Sequence, residues 1–294
     1  MNPLGQDRVT FSRKCGIDPA IFVLYWVYSK TKECPRVQTK IAFFDIDGTL
    51  IDIQSKRITE KTLEALQRLR AVGVKICLAT GRSPVALPVF PGVEFDAYLT
   101  FNGSLCYTAG GKTIFSNPIA HEDVQKIIAN GAAIGRPVCV SVRDRLAANG
   151  TDVDLTDYFA IAKMVVPITD EFDTVCREDV YQLMMGGRKD EYDAILRGVD
   201  GAKIAAWWDR AVDIIPASGG KGTGIGKILE YYGFDKAEAV AFGDGNNDIE
   251  MLQAVGSAVA MGNASAELKA VATEVCRPVT EDGVYWYCVE KGLI

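Results

Sequence analysis

The sequence has only one histidine, His121, among its 294 residues. This scarcity excludes Ser-His-Asp and Cys-His catalysis and multi-histidine metal sites, unless His121 serves alone. His121 opens the polar stretch His-Glu-Asp, which is typical of a helix start. We therefore interpret it as a surface residue.

The eight cysteines include no Cys-x-x-Cys pair. Several of them lie inside apolar, strand-like runs such as 74–78 and 137–142. This distribution predicts buried thiols in a reducing compartment, and hence a cytoplasmic protein, rather than a disulfide framework or a zinc site.

The sequence also has no excess of basic residues: it contains 38 Asp and Glu and 32 Lys and Arg, for a net charge of −6. This balance argues against nucleic acid and membrane surfaces as partners. A small anionic substrate stays possible, because a bound metal can make one site locally cationic. Oligomeric state cannot be derived from this composition.

Residues 1–39 differ in character from the rest of the chain. Their apolar run, Ile21–Tyr28, is too short to span a bilayer, and no small-x-small cleavage site follows it. We expect this N-terminal extension to lie outside the fold, with the start of the protein near Val37.

The stretch Ile41–Leu50 dominates the interpretation of the remaining chain. Apolar residues lead without interruption into Asp45, Asp47 and Gly48, which predicts a strand buried on both faces of a parallel sheet. The two acids then lie at the carboxyl end of the strand, where open α/β sheets bind ligands. Such carboxylates can hold Mg²⁺, and can supply a nucleophile and a proton carrier, although an acidic turn alone would look the same.

Strands and helices alternate from Lys40 onward, which predicts an α/β fold with a Rossmann-like, doubly wound parallel sheet as its core. We place this core at 40–116 and 215–294. The predicted strands are 41–44, 74–79, 96–101, 237–242 and 258–261, the predicted helices are 59–72, 221–232, 248–255 and 264–272, and 104–115 is predicted to be a hairpin.

The pattern changes between 117 and 214, which we predict to be an inserted α+β cap domain. Its strands lack long apolar runs, which indicates an antiparallel sheet with one exposed face. The predicted helices are 121–134, 156–164 and 189–198, and the predicted strands are 137–142, 180–185, 203–208 and 211–215.

Three further polar clusters accompany Asp45 and Asp47: Thr80-Gly81-Arg82, Lys221, and the run 243–248. Taken singly, each is better explained as a helix cap or a solvated turn. Together they supply a hydroxyl, fixed cations and additional acids, which are the groups that phosphoryl transfer requires.

In this order the motifs resemble the haloacid dehalogenase-like superfamily, and most closely its Cof-type sugar phosphatases with a C2B-type cap inserted after the second motif. The resemblance covers about residues 40–294. The matching pieces are Asp45-Ile-Asp-Gly-Thr-Leu50, Ala79-Thr-Gly-Arg82, Lys221-Gly222 and Gly243-Asp-Gly-Asn-Asn-Asp248, with lesser matches at Asn102-Gly103, Ala260–Ala264 and Glu281–Val284.

The resemblance implies a role for each matching residue. Asp45 would attack phosphorus and form an aspartyl-phosphate, and Asp47 would act as general acid and then as general base. Mg²⁺ would be held by the Asp45 carboxylate, the Asp47 backbone carbonyl and Asp244, with Asp248 as a ligand or as the group that orients one.

Other matching residues are implied to bind the phosphoryl group, and Lys221 to neutralise both Asp45 and that group. These phosphate-binding positions are Gly48, Thr80, Gly81, Arg82 and Asn247. Asp52 lies beyond the turn and is assigned no role.

The favoured function is therefore a Mg²⁺-dependent phosphatase of small phosphorylated metabolites, with sugar phosphates as the expected substrates. A phosphohexomutase shares the same nucleophile and is the nearest alternative, and a phospho-accepting signalling module is a more distant one. In the cap, Trp207 and Trp208 are candidates to line a sugar face, but strand tryptophans more often pack in a core or a hairpin.

Overall fold

The protein is described by a computed structural model that covers residues 38–206 and 208–294. The predictions for 1–37 and for Trp207 fall outside the described residues. Residues 39–294 form one compact unit. In the described part of the chain, no helix has both the length and the apolar content that a bilayer crossing needs.

Thirteen strands and nine α-helices are found in the described residues. The strands are β1 (Ile41–Phe44), β2 (Lys75–Ala79), β3 (Ala97–Thr100), β4 (Leu105–Thr108), β5 (Thr113–Ser116), β6 (Val138–Ser141), β7 (Leu146–Ala148), β8 (Gln182–Gly186), β9 (Ala202–Ala205), β10 (Ala211–Pro216), β11 (Ala239–Gly243), β12 (Ser257–Ala260) and β13 (Glu274–Val275). The helices are α1 (Glu60–Ala71), α2 (His121–Ala133), α3 (Val153–Ile161), α4 (Phe172–Val175), α5 (Tyr192–Ile195), α6 (Lys221–Tyr232), α7 (Ile249–Gln253), α8 (Ala266–Val271) and α9 (Gly283–Glu290).

The first sheet has eight strands in the order β13-β12-β11-β1-β2-β3-β4-β5. The strands from β13 to β3 run parallel, and β4 and β5 continue the sheet antiparallel. This arrangement confirms the predicted α/β class and the predicted hairpin. All parallel strands therefore end at the same edge, and β1 is central.

Burial explains why β1 takes the central position. Each of its four residues is fully buried, as expected of a strand covered by helices on both faces. Phe44 stacks on Phe242 of the neighbouring β11 with 5.1 Å between ring centroids. This packing fixes the strand whose carboxyl end carries the acidic motif.

The first helix, α1, shows how local sequence sets the element boundaries. The Thr59 side chain accepts a hydrogen bond from the Thr62 backbone N–H, so it caps the helix as predicted. Gly73 follows the helix with a φ of 89°, a left-handed conformation that favours glycine. The helix therefore stops before β2, whose carboxyl end leads to Thr80.

The second sheet has five antiparallel strands in the order β7-β6-β8-β10-β9. The antiparallel arrangement was predicted, but the predicted exposed face was wrong. Alternate residues of β8 belong to two different apolar clusters, since Leu183 and Met185 pack in one and Met184 in the other. Helices cover both faces, and one cluster includes residues of α3.

Several predicted boundaries in this region were also wrong. The helix predicted at 156–164 begins earlier, because the Asp152 carboxylate accepts the Leu155 N–H and caps α3. The helix predicted at 189–198 is limited to α5, and the strand predicted at 203–208 ends at Ala205.

Two further points concern side chains on which predictions were made. The six cysteines in the described residues are all free, and five of them are buried, as predicted. His121 is exposed, as predicted, and its Nδ1 lies 3.1 Å from the Cys176 carbonyl oxygen.

Candidate active site

Asp45 follows β1 directly and lies at the carboxyl edge of the first sheet. Its backbone N–H donates to the Phe242 carbonyl at 3.0 Å, which continues the pairing of β1 with β11 by one residue. The carboxyl group is nearly buried, with 7% of the residue exposed. The strand thus holds a carboxyl group in a fixed position at its end.

Lys221 is the first residue of α6, and its ammonium group lies directly behind Asp45. The Nζ atom donates to Asp45 Oδ1 at 2.6 Å and to Asp248 Oδ1 at 2.5 Å. Burial alone would lower the pKa of Lys221, but the Asp248 and Asp45 carboxylates raise it above its ordinary value. The side chain is therefore a permanent positive charge between two acids.

Asp248 is held by backbone groups as well as by Lys221. Its Oδ2 accepts hydrogen bonds from the N–H groups of Asp244 at 3.0 Å and Gly245 at 3.1 Å. Both carboxylate oxygens therefore have protein partners, and the loop that carries Asp244 is fixed by them.

Asp45, Asp244 and Asp248 form an acidic cluster, in which one oxygen from each lies within 4.8 Å of the others. Burial raises the pKa of Asp45 to about 7; the Asp248 carboxylate adds to this rise and the Lys221 ammonium group partly offsets it. Burial and the two neighbouring carboxylates raise the pKa of Asp244 to about 8. Crowded carboxylates of this kind, two of them buried and Asp244 half-buried, form a hard oxygen donor set that fits Mg²⁺.

The turn at Gly48 packs directly on this cluster. Gly48 has a φ of 92°, and a Cβ atom built there would lie 2.0 Å from Asp244 Oδ2. The Gly48 carbonyl accepts a hydrogen bond from Asn263 Nδ2 at 2.8 Å, and Thr49 Oγ1 donates to Asp244 Oδ1 at 3.2 Å. Glycine is therefore required by both conformation and space.

Asp47 and Arg82 meet across the carboxyl ends of β1 and β2. Arg82 donates from Nε to Asp47 Oδ2 at 2.8 Å and from Nη2 to Asp47 Oδ1 at 2.7 Å. Such a bidentate pair fixes both side chains. Thr80, which is buried, accepts the Arg82 backbone N–H on its Oγ1 at 3.1 Å. In this structure Arg82 is therefore paired with the Asp47 carboxylate.

A chain of polar side chains runs from Asn247 toward the second sheet. Asn247 Nδ2 donates to Asn102 Oδ1 at 3.2 Å, and Asn102 Nδ2 donates to Asp213 Oδ2 at 3.3 Å. Tyr158 donates its hydroxyl to Asp213 Oδ1 at 2.5 Å. Sequence reasoning assigned no role to Tyr158 or Asp213, because the second sheet brings them together only in three dimensions.

A cavity of about 350 Å³ lies at this site, lined by residues that follow strands of the first sheet and by residues of the second sheet. Three predicted site residues, Gly48, Lys221 and Asp248, are not in its lining and support the acids from behind. The predicted site residues that do line it are Asp45, Asp47, Thr80, Gly81, Arg82, Asp244 and Asn247.

Comparison with known proteins agrees with this geometry. Residues 42–287 match the family of haloacid dehalogenase-like hydrolases. YkrA of Bacillus subtilis (strain 168) is 31% identical over 260 residues, which cover 88% of this chain and 100% of that protein. YitU of the same organism, a 5-amino-6-(5-phospho-D-ribitylamino)uracil phosphatase, is 29% identical and covers 82% of this chain and 93% of its own length.

Among solved structures, the subclass IIB sugar phosphatase BT4131 is similar to this chain with a TM-score of 0.79 and 31% identity. The match covers 87% of this chain and 100% of BT4131. Fold and site together define an α/β phosphatase with an acidic centre at the edge of a parallel sheet. The chain belongs to the haloacid dehalogenase-like hydrolases, in their Cof-type phosphatase branch.

Proposed function

We propose that this protein hydrolyses small phosphomonoesters with Mg²⁺ through an aspartyl-phosphate on Asp45. The observation that carries the proposal is the placement of Asp45 and Asp47 in the lining of one cavity, with Lys221 fixed 2.6 Å from Asp45 Oδ1. Residues 40–116 and 215–294 would form the catalytic core, and 117–214 the cap. Free thiols, most of them buried, support a reducing, cytoplasmic location.

In the first step, a carboxylate oxygen of Asp45 forms a bond to phosphorus and the ester P–O bond breaks. The leaving oxygen takes its proton from the Asp47 carboxyl group. Because Asp47 is paired with Arg82, this step requires the pair to open, and the phosphoryl oxygens would replace Asp47 as the partner of Arg82.

In the second step, a water oxygen attacks phosphorus, its proton passes to the Asp47 carboxylate, and the Asp45–phosphorus bond breaks. Lys221 stays charged and hydrogen-bonded to Asp45 throughout, so the carboxylate is a better leaving group than it would be alone. Thr80, Gly81 and Asn247 line the cavity where the phosphoryl oxygens would lie.

The residues that would hold Mg²⁺ are Asp45, Asp244 and the Asp47 backbone carbonyl. Bound Mg²⁺ would neutralise charge on the transferring phosphoryl group. Asp248 would orient this set rather than bind the metal, because its two oxygens are already bonded to Lys221, Asp244 and Gly245.

The relatives support a small phosphorylated metabolite as substrate. BT4131 is a sugar phosphatase, and the name of YitU describes a phosphate on the end of a ribityl chain that an amino group joins to a uracil ring. A phosphorylated sugar or a phosphorylated ring-bearing alcohol is therefore the expected class.

The decisive experiment follows free phosphate and isomerised product from a panel of phosphorylated metabolites, with Mg²⁺ and with EDTA. We expect Mg²⁺-dependent phosphate release that Asp45→Asn abolishes without loss of the fold. The matched control is Asp52→Asn, the same chemical change at a half-buried residue that is itself not part of the cavity lining. Isomerised product with little phosphate would indicate a mutase, and activity retained in Asp45→Asn would refute the covalent mechanism.

A further inference from the structure

The cap side of the cavity is formed by one face of the second sheet. Ser141 at the end of β6 lies directly opposite Gln182 of β8 and, on its other side, opposite Leu146 of β7. Directly opposed residues in an antiparallel ladder project to the same face. The three side chains therefore form one row, and all three line the cavity.

Apolar side chains surround this row. Phe159, Met164 and Met184 line the cavity next to it and belong to the apolar cluster on the same face of the sheet. Met184 lies two residues after Gln182 on β8, so the two side chains project to the same face. A ligand in this part of the cavity would meet an apolar wall with a polar edge.

Ser141 and Gln182 are conspicuous on this wall because they are buried polar residues with an unsatisfied atom. Ser141 is 0% exposed and Gln182 is 2% exposed. Within residues 38–206 and 208–294, the Ser141 Oγ and Gln182 Oε1 atoms have no hydrogen-bond partner. Buried polar atoms in folded proteins almost always have one, and an unpaired atom destabilises the protein.

Asp213 gives the contrast on the same sheet face. It lies opposite Met184 in the ladder, but its two carboxylate oxygens are bonded to Tyr158 and Asn102. Residues outside the second sheet therefore satisfy the buried Asp213 carboxylate, whereas Ser141 Oγ and Gln182 Oε1 stay unsatisfied at the cavity. That difference is expected if a bound ligand supplies the missing partners.

We propose that Ser141 and Gln182 select the leaving group of the substrate, and that this group is a heteroaromatic alcohol. Its ring face would pack on Phe159 and Met184, and its polar edge would donate a hydrogen bond to the Gln182 amide oxygen and exchange one with the Ser141 hydroxyl. A polyol exposes hydroxyls all around, so much of it would be desolvated against this apolar wall without partners. The inference rests on the proposed phosphatase function and specifies its substrate class.

The test compares three phosphate donors with the full chain in Mg²⁺. Pyridoxine 5′-phosphate has a heteroaromatic leaving group, glucose 6-phosphate has a polyol of similar size, and acetyl phosphate has a leaving group too small to contact the row. We expect kcat/KM for pyridoxine 5′-phosphate to exceed that for glucose 6-phosphate by about tenfold or more, as expected for one or two well-placed hydrogen bonds and apolar contact.

The variants are Ser141→Ala and Gln182→Leu, and Gln125→Leu on the exposed face of α2 is the matched control. Gln182→Leu should lower kcat/KM for pyridoxine 5′-phosphate about tenfold, with a smaller loss for Ser141→Ala, because each removes one hydrogen bond to the leaving group. Acetyl phosphate hydrolysis should stay unchanged in all three. The Tm of both cap variants should stay the same or rise, because an unpaired polar atom is removed from an apolar face.

Several results would overturn this proposal. A lower Tm together with an equal loss of kcat/KM for pyridoxine 5′-phosphate and acetyl phosphate would show that Ser141 and Gln182 have a structural role. A higher kcat/KM for glucose 6-phosphate than for pyridoxine 5′-phosphate would refute the substrate class. If none of the three donors is hydrolysed, the phosphatase function fails instead. The pocket is then judged by calorimetric binding of pyridoxine, which wild type should bind and Gln182→Leu should not.

Discussion

Gly48 couples the geometry of the first motif to the acidic cluster. Its φ of 92° and the 2.0 Å separation between a hypothetical Cβ and Asp244 Oδ2 leave no room for a side chain. Asp244 in turn accepts a hydrogen bond from Thr49. A substitution at this one position must therefore displace a proposed metal ligand.

We predict that Gly48→Ala weakens Mg²⁺ binding and lowers turnover. Left-handed backbone costs an alanine about 1–2 kcal/mol, and the clash with Asp244 adds to this cost. Calorimetric titration with Mg²⁺ and chemical denaturation measure the two effects.

Gly111→Ala is the control for backbone strain alone. Gly111 has a φ of 79° in the exposed β4–β5 turn, and nothing lies within 4 Å of a Cβ built there. It should lose about 1–2 kcal/mol of stability with unchanged Mg²⁺ affinity. Equal Mg²⁺ affinities in the two variants would contradict the proposed link between Gly48 and Asp244.

Single residues also show where sequence reasoning stops. Asp45 and Lys221 are recognisable because strand ends and glycine-flanked turns place their chemistry at a known sheet edge. Ser141 and Gln182 lie 41 positions apart in ordinary strand-like runs, and only the β6–β8 register brings them opposite each other. No local pattern could have predicted that pair.

At the scale of elements, α6 is the helix that delivers Lys221 to Asp45. The helix contains three glycines that differ sharply in their surroundings. A Cβ on Gly224 would lie 2.5 Å from Leu99 Cδ1 and 3.1 Å from Cys106 Sγ, while nothing lies within 4 Å of one on Gly226. Gly224 therefore permits close packing of α6 on β3 and β4, and Gly226 has no such role.

We predict opposite effects for Gly226→Ala and Gly224→Ala. The first should raise the free energy of unfolding by about 1 kcal/mol, which is the difference in helix propensity between the two residues. The second should lower it by about 1–3 kcal/mol through overpacking, and should reduce turnover because Lys221 moves with the helix. Denaturant titration and phosphate release measure both.

The paired design separates packing from propensity, because both changes lie in one helix and add the same methyl group. Stabilisation by Gly224→Ala would show that α6 does not pack on β3 as closely as its glycine suggests. Reduced turnover in Gly226→Ala would contradict the explanation that turnover falls only when overpacking at Gly224 moves α6 and Lys221.

Element prediction succeeded where burial made the pattern strong. β1 and β11 are uninterrupted apolar runs and were predicted. α1 was predicted from the helical spacing of its apolar residues and from its N-cap, Thr59. By contrast, α9 was missed because its sequence, Gly-Val-Tyr-Trp-Tyr-Cys-Val-Glu, is rich in aromatic and β-branched residues that favour strands. Packing against α1 overrides that preference.

For the molecule as a whole, the acidic cluster should make stability depend on pH. Asp45 and Asp244 have an ordinary pKa of 3.8, and the fold raises these values to about 7 and about 8. Between these limits the folded state binds more protons than the unfolded state. Their contribution to stability is therefore complete at low pH and is lost as the pH rises through the folded values.

We predict that in EDTA the free energy of unfolding falls from about pH 4 to about pH 8, by up to about 1.4 kcal/mol per pH unit for each group, and levels off above the folded pKa values. Mg²⁺ should restore stability most strongly near pH 9, because it binds the ionised carboxylates of the folded state. Asp244→Asn removes one titrating group and one ligand, so it should flatten the curve in EDTA and weaken the response to Mg²⁺. Two outcomes would contradict this prediction: a free energy of unfolding that rises across this range, or an identical pH curve for Asp244→Asn. Either would show that the raised pKa values of Asp45 and Asp244 do not set the pH dependence of stability.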